Sequence, residues 1–133
     1  MNTLELRPGG EGVEVRIDGH DLRDLVRAVE LPHAAADGQP DLAGSYDGLP
    51  PGEWVLPPAD GKGHVVAVLG CTCGVTECWP LLVRITRKAD VVVWSDFRQP
   101  RRGWPHEGLG PFTFDRAQYD SALAALTAES GSR

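Results

Sequence analysis

Residues 63–102 read GHVVAVLG-CTCGVTEC-WPLLVRITRKAD-VVVWSDFRQPRR, and this stretch decides the fold. Three runs rich in Val, Ile and Leu, near Val65–Leu69, Leu81–Thr86 and Val91–Phe97, are separated by turn signals, the pattern of an antiparallel meander. The first run is apolar on both faces, which predicts a central strand covered on both sides. Reading Lys88-Ala89-Asp90 as a three-residue turn puts Val91, Val93 and Phe97 on one face. It puts Arg84 opposite Trp94 on the other, with Asp96, where a guanidinium can lie over an indole. A turn one residue longer would reverse this register.

Working outward, Thr3–Arg7 and Val13–Ile17 alternate apolar with polar residues around Pro8-Gly9-Gly10, which predicts an N-terminal hairpin. Asp21 can cap a helix whose stripe is Leu22, Leu25, Val26 and Val29, with Arg23, Asp24, Arg27 and Glu30 on the outer face. Leu31-Pro32 is expected to end it. Residues 33–62, with five prolines and five glycines, read as an irregular covering loop laid across a sheet face by Tyr46, Leu49 and Trp54, with a brief strand at Trp54–Leu56. Arg98–Gly110 is a loop. Asp115 and Gln118 then form a capping-box-like start, Phe114 and Tyr119 a hydrophobic staple, and Tyr119, Ala122, Leu123 and Leu126 the apolar stripe of a second helix. The expectation is one α+β domain over residues 1–133: an antiparallel sheet of about five strands, hairpin plus meander, with two packed amphipathic helices.

Composition bounds the function. With 133 residues, 41% hydrophobic and 24% charged, the chain suits one globular domain. No run is long enough for a membrane span and the start lacks a signal-peptide pattern, so a cytoplasmic protein without a membrane partner is expected. Three cysteines cannot all pair within the chain, which argues against a secreted disulfide framework. Eleven arginines against two lysines fit the coding bias of a GC-rich bacterial genome. Residues 1–60 hold twelve acids and four bases and the remainder seven acids and nine bases, a balance that argues against general nucleic-acid binding.

Two constellations carry the chemistry. Cys71, Cys73 and Cys78 form C-x-C-x₄-C, three soft ligands to which a histidine would complete a zinc set. The fourth ligand is undefined: an extended strand carries His64 about 20 Å from Cys71, which leaves His106, His33 or His20. The same thiols could serve redox or nucleophilic chemistry, Cys71 with Cys78 forming a reversible disulfide, or simply pack as small reduced side chains in a turn. The second constellation is Arg84, Trp94, Arg98, Arg101, Arg102 and Trp104, with Gln99 among them. Arg and Trp dominate protein interfaces, although tryptophans covering the core edge of a solvated loop would give the same composition. Asp96 beside Arg98 reads as a surface ion pair, and Gly9, Gly10 and Gly12 form no phosphate-binding fingerprint.

The segments VVAVLGCTCGVTECWPLLVRI (65–85), VVVWSDFRQPRR (91–102) and PFTFDRAQYDSALAAL (111–126) resemble a family of small bacterial proteins of uncharacterised function. Members carry Gly at the position of Glu77, where this chain departs. The resemblance implies no activity, substrate, cofactor or catalytic residue. The reading that follows is a non-enzymatic protein-interaction module of the adaptor or immunity-protein type with a protein partner. The alternatives are a small zinc-binding protein and, third, a cysteine-dependent redox protein or enzyme.

Overall fold

The structure, a computed structural model, describes residues 1–10, 12–54 and 56–131, with side chains as far as Leu126. β1 (Leu4–Gly9) and β2 (Gly12–Ile17) pair antiparallel with Leu4 opposite Ile17 and Leu6 opposite Val15. The alternation read from the sequence holds: Leu4, Leu6, Val13, Val15 and Ile17 are all buried. β3 (His20–Asp21) returns along β2 and opens α1 (Leu22–Ala36), where the Asp21 carboxylate accepts from the Arg23 N–H.

α1 is longer than expected. Pro32 lies inside it rather than beyond its end. An internal proline costs about 3 kcal/mol through its missing N–H and ring clash. Here it faces solvent, and the turn after it is anchored: Ala34 is buried against Ala43 and Trp104. The Trp104 indole N–H also donates to Asp37 just past the helix, at 2.8 Å.

A five-stranded antiparallel sheet runs in the order β4 (Asp47–Gly48), β5 (Gly63–Gly70), β6 (Leu81–Arg87), β7 (Val91–Arg98) and β8 (Phe112–Asp115). The α+β class, the antiparallel sheet of five strands and the two helices are therefore as expected, but the sheet's membership is not. The N-terminal hairpin forms its own three-stranded sheet with β3, and the outer positions of the larger sheet are taken by β4 and β8. β5 is internal in the strand order, as expected, but one of its faces is open in part: Val65 is 46% exposed. Among the described residues β4 reaches only Leu69 and Gly70, so Gly63–Val68 has no strand partner on that side. The strand expected at Trp54–Leu56 is absent at Trp54 and Leu56, and Val55 lies outside the described residues.

The hairpin between β6 and β7 is the main correction. Lys88 N–H bonds the Val91 carbonyl, leaving a two-residue turn, Ala89-Asp90. One residue fewer shifts the register: Ile85, not Arg84, faces Trp94, and Arg84 faces Ser95. Val92 and Trp94 point inward. Asp96, at φ +53°, then forms a bulge that sets two β7 residues, Asp96 and Phe97, against Val83 of β6, which brings Phe97 back to the buried side.

α2 (Arg116–Gly131) starts as read, with the Asp115 carboxylate accepting from Gln118 N–H at 3.0 Å and Phe114 against Tyr119. Gln118, however, does not return to its own cap. Its amide bonds both the N–H and the C=O of Leu4, stitching α2 to β1. The apolar stripes of both helices meet one core shared by the two sheets.

Trp94 is at the centre of that core, fully buried. Trp94→Ala removes a large ring with no means of collapse and is expected to cost about 3–5 kcal/mol, measurable as a lower midpoint in urea unfolding.

Candidate functional site

The Arg/Trp constellation separates in space. Trp94 stacks on Trp54 at 6.5 Å and meets Phe97, Phe114 and Tyr119 edge-on, with its indole N–H 3.2 Å from the Tyr119 hydroxyl. It is core, covered by the 33–62 segment through Trp54, and offers nothing to a partner. Trp104 is buried in a second, smaller cluster, edge-on to Trp79, with the Arg102 guanidinium 5.8 Å above its ring. Arg84 and Asp96 make an exposed ion pair at 3.1 Å, the kind that contributes little. Of the six residues, only Arg98 is exposed without a side-chain hydrogen bond or ion pair among the described residues.

Arg101 belongs instead to the cysteine turn. Its guanidinium donates to the carbonyls of Glu77 (2.7 Å) and Cys78 (3.3 Å), and its backbone N–H donates to the Gln99 side chain. The turn leaves β5 at Gly70, passes Gly74 at φ +93°, and tightens into a 3-10 turn at Thr76–Cys78. A side chain at 74 would be strained in that backbone conformation. The Thr76 hydroxyl donates to Glu53 at 2.8 Å, tying the turn to the covering segment.

Within it the three cysteines share one short turn, and the Cys71 sulfur accepts from the Cys73 N–H at 3.4 Å. Cys73 interacts with both Cys71 and Cys78, and its sulfur accepts from the Val75 N–H at 3.4 Å. Cys73 and Cys78 are exposed and Cys71 half-buried. The Val75 N–H, followed by the neighbouring thiols, holds the Cys73 pKa below that of an ordinary thiol. Donation to Cys73 holds that of Cys78 above it.

Among the described residues no histidine is grouped with them as a metal ligand. His106 lies 2.7 Å from Glu30 and His64 3.1 Å from Asp60. Among the described residues no group of three or more His, Cys, Asp or Glu side chains is arranged to hold a metal ion.

A buried polar network escaped the sequence reading. Glu30, placed there on the outer face of α1, is fully buried. Its carboxylate accepts from the Gly44 N–H (2.9 Å) and the Tyr46 hydroxyl (2.7 Å), and contacts His106. Gln99 donates to the Tyr46 oxygen and to the Pro80 carbonyl. Burial, then the Glu30 charge, pushes the Tyr46 pKa up, so the phenol stays a donor. The signal was present: Leu22, Val26, Glu30 and Ala34 follow one another at i+4 and share the buried stripe.

No family model, curated protein or solved structure matches the chain. Among the described residues no helix is long and apolar enough to cross a membrane.

Two outcomes are expected. Glu30→Ala leaves the Gly44 N–H, the buried Tyr46 hydroxyl and the buried His106 ring nitrogen without their partner and should lower stability by about 3–5 kcal/mol in denaturant titration, whereas Glu14→Ala, at a part-exposed ion pair, should cost under about 1 kcal/mol. In peptide-resolved alkylation by iodoacetamide across a pH series, Cys73 should react first as pH rises, since its thiolate forms below the ordinary thiol pKa. Cys78 should follow above it. A common midpoint for the two would contradict the contact between them.

Proposed function

We propose that the cysteine turn is the working part of the protein and that it performs thiol–disulfide exchange. The observation that supports this is three cysteines on one short turn, Cys73 and Cys78 exposed, with the Cys73 sulfur accepting from the Val75 N–H and the Cys71 sulfur from the Cys73 N–H, each at 3.4 Å. Sulfurs that only filled space would be expected among aliphatic side chains, and Cys73 and Cys78 are instead exposed.

The Cys73 thiolate attacks one sulfur of a disulfide R–S–S–R. A Cys73–S–S–R bond forms as the S–S bond breaks, and one RS⁻ leaves and takes a proton from solvent. Cys78, deprotonated, then attacks the Cys73 sulfur and expels the second RS⁻, leaving Cys73–Cys78 oxidised and two RSH reduced. Cys78 is the better resolving thiol because a bridge across the single residue between Cys71 and Cys73 closes a short, strained ring.

The reduced protein, incubated with hydroxyethyl disulfide in the presence of a chelator, should lose two thiols and acquire a Cys73–Cys78 bridge by mass spectrometry. Cys73→Ser should block this. Cys78→Ser should stop at the mixed disulfide. Reaction at Cys71 ahead of Cys73, or none at any thiol, would defeat the reading.

A second reading, protein interaction without catalysis, is favoured by Arg98. It is exposed, unpaired among the described residues, and set beside Leu82 on the outward face of the larger sheet. A partner presenting a carboxylate there would be lost on Arg98→Glu with the fold intact.

A further inference from the structure

We propose that the disulfide exchanged at Cys73 lies in an extended polypeptide segment carrying basic residues, which adds as a strand to the free edge of β5. This rests on the exchange reading above and names the substrate class for the same site.

The edge comes first. β4 pairs only with Leu69 and Gly70, and among the described residues no hydrogen bond is made from the other side along Gly63–Val68. Every second residue there presents its N–H and C=O outward. Edges are normally blunted by proline, lysine or inward-pointing charge. β5, GHVVAVLG, has none of these. An edge left open is the feature that strand-adding recognition uses, with backbone bonds giving affinity and alternate side-chain pockets giving selectivity.

The edge also leads to the thiols. A groove of about 490 Å³ runs beside Val65, Val66 and Ala67, with Leu82 and Pro80 in its wall, and reaches Thr76, Glu77 and Arg101. A second cleft of about 350 Å³ lies between Gly70, Cys71 and Gly74 on one side and Gly9, Gly10 and Gly48 on the other, and also reaches Thr76. Thr76 is thus a common wall, and the cysteine turn stands where the two depressions meet. From Val65 to Cys71 an extended chain spans about 20 Å, or six residues. Glycine walls let a backbone approach closely. A small disulfide would need neither depression.

Charge selects the segment. Glu53 and Glu77 line the groove and Asp47 lines the cleft. The one cation among the lining residues, Arg101, spends its guanidinium on the Glu77 and Cys78 carbonyls. The local balance is acidic, which favours lysine or arginine flanking the substrate cysteine and disfavours an acidic segment.

The electron balance is that of the exchange above, with peptide thiolates as both leaving groups. One peptide thiol departs when Cys73 forms the mixed disulfide. The second departs when Cys78 closes the bridge, and the segment is reduced by two electrons.

The test uses the reduced full chain and two probes. One is the disulfide-linked dimer of a peptide about nine residues long, with a central cysteine between Val and Thr residues and Lys at both ends. The other is hydroxyethyl disulfide. The readout is the ratio of their oxidation rates, followed by acid quench and mass spectrometry. The peptide probe should be favoured about tenfold or more at low salt, with the ratio falling as salt rises. Val65→Lys, which blunts the edge, and Glu77→Lys, which reverses a lining charge, should each pull the ratio toward unity. Val65 and Glu77 are both exposed, so each variant checks the other if one folds poorly. Equal rates for the two probes, or a ratio indifferent to both variants and to salt, would overturn the peptide substrate while leaving exchange standing. Failure of both probes to oxidise the turn would remove the exchange reading itself.

Discussion

Trp94 sits where segments far apart in sequence meet. β7 delivers it, Trp54 of the covering segment stacks upon it, Phe114 of β8 and Tyr119 of α2 meet it edge-on, and Tyr119 accepts its indole proton. Aromatic pairs of this kind add roughly 0.5–1.5 kcal/mol each beyond the area they bury. Their larger effect is geometric. The two-residue turn at Ala89-Asp90 and the bulge at Asp96 together fix which β7 side chains face inward. A change of parity at either would carry Trp94 or Phe97 to the solvent side and leave Trp54 and Tyr119 without their partner. The larger sheet, the covering segment and α2 are therefore conditional on one register.

Glu30 plays the corresponding part for the irregular segments. A carboxyl group away from water is tolerable only when its polar atoms find partners, and Gly44, Tyr46 and His106 supply them. Each partner comes from a segment lacking regular structure of its own. The polar group thus gives irregular chain a defined seat that apolar contact alone would leave adjustable. Contacts beyond it explain why α1 continues past Pro32: Ala34 packs on Ala43 and Trp104, and Asp37 accepts from the Trp104 indole. The turn holding Glu30 and the next one holding Ala34 are both fastened to the loops they cover.

Much of this architecture was legible. Strict alternation announced β1, β2 and β6, and the Asp115 cap with its Phe114–Tyr119 staple announced α2. What failed depended on single-residue parity or on tertiary contact. Whether the Lys88–Asp90 region turns in two residues or three cannot be read from composition, and the choice decides the face of Trp94. The break expected at Pro32 was a local rule overridden by packing beyond it. Glu30 was assigned by its charge when its i+4 spacing from Val26 pointed inward. The site divides likewise: the arginines and tryptophans were adjacent in sequence but distributed between two cores and the surface, whereas the C-x-C-x₄-C spacing did correspond to one short turn in which the Cys71 sulfur accepts from the Cys73 N–H.

The cysteine turn stands apart from both cores, yet its position is fixed. Arg101 grips the Glu77 and Cys78 carbonyls, its own N–H is bonded to Gln99, and Gln99 reaches Tyr46 and through it Glu30. Thr76 holds the other side through Glu53. The sulfurs take no part in these anchors apart from the local bonds around Cys73. Backbone and guanidinium set the turn, so the thiols are free to change their bonding without dismantling what positions them. Proximity between reacting groups lowers a barrier only if it is established before the reaction. Here the anchoring is traceable, bond by bond, from the backbone carbonyls of an exposed turn to the buried carboxylate of Glu30 on α1.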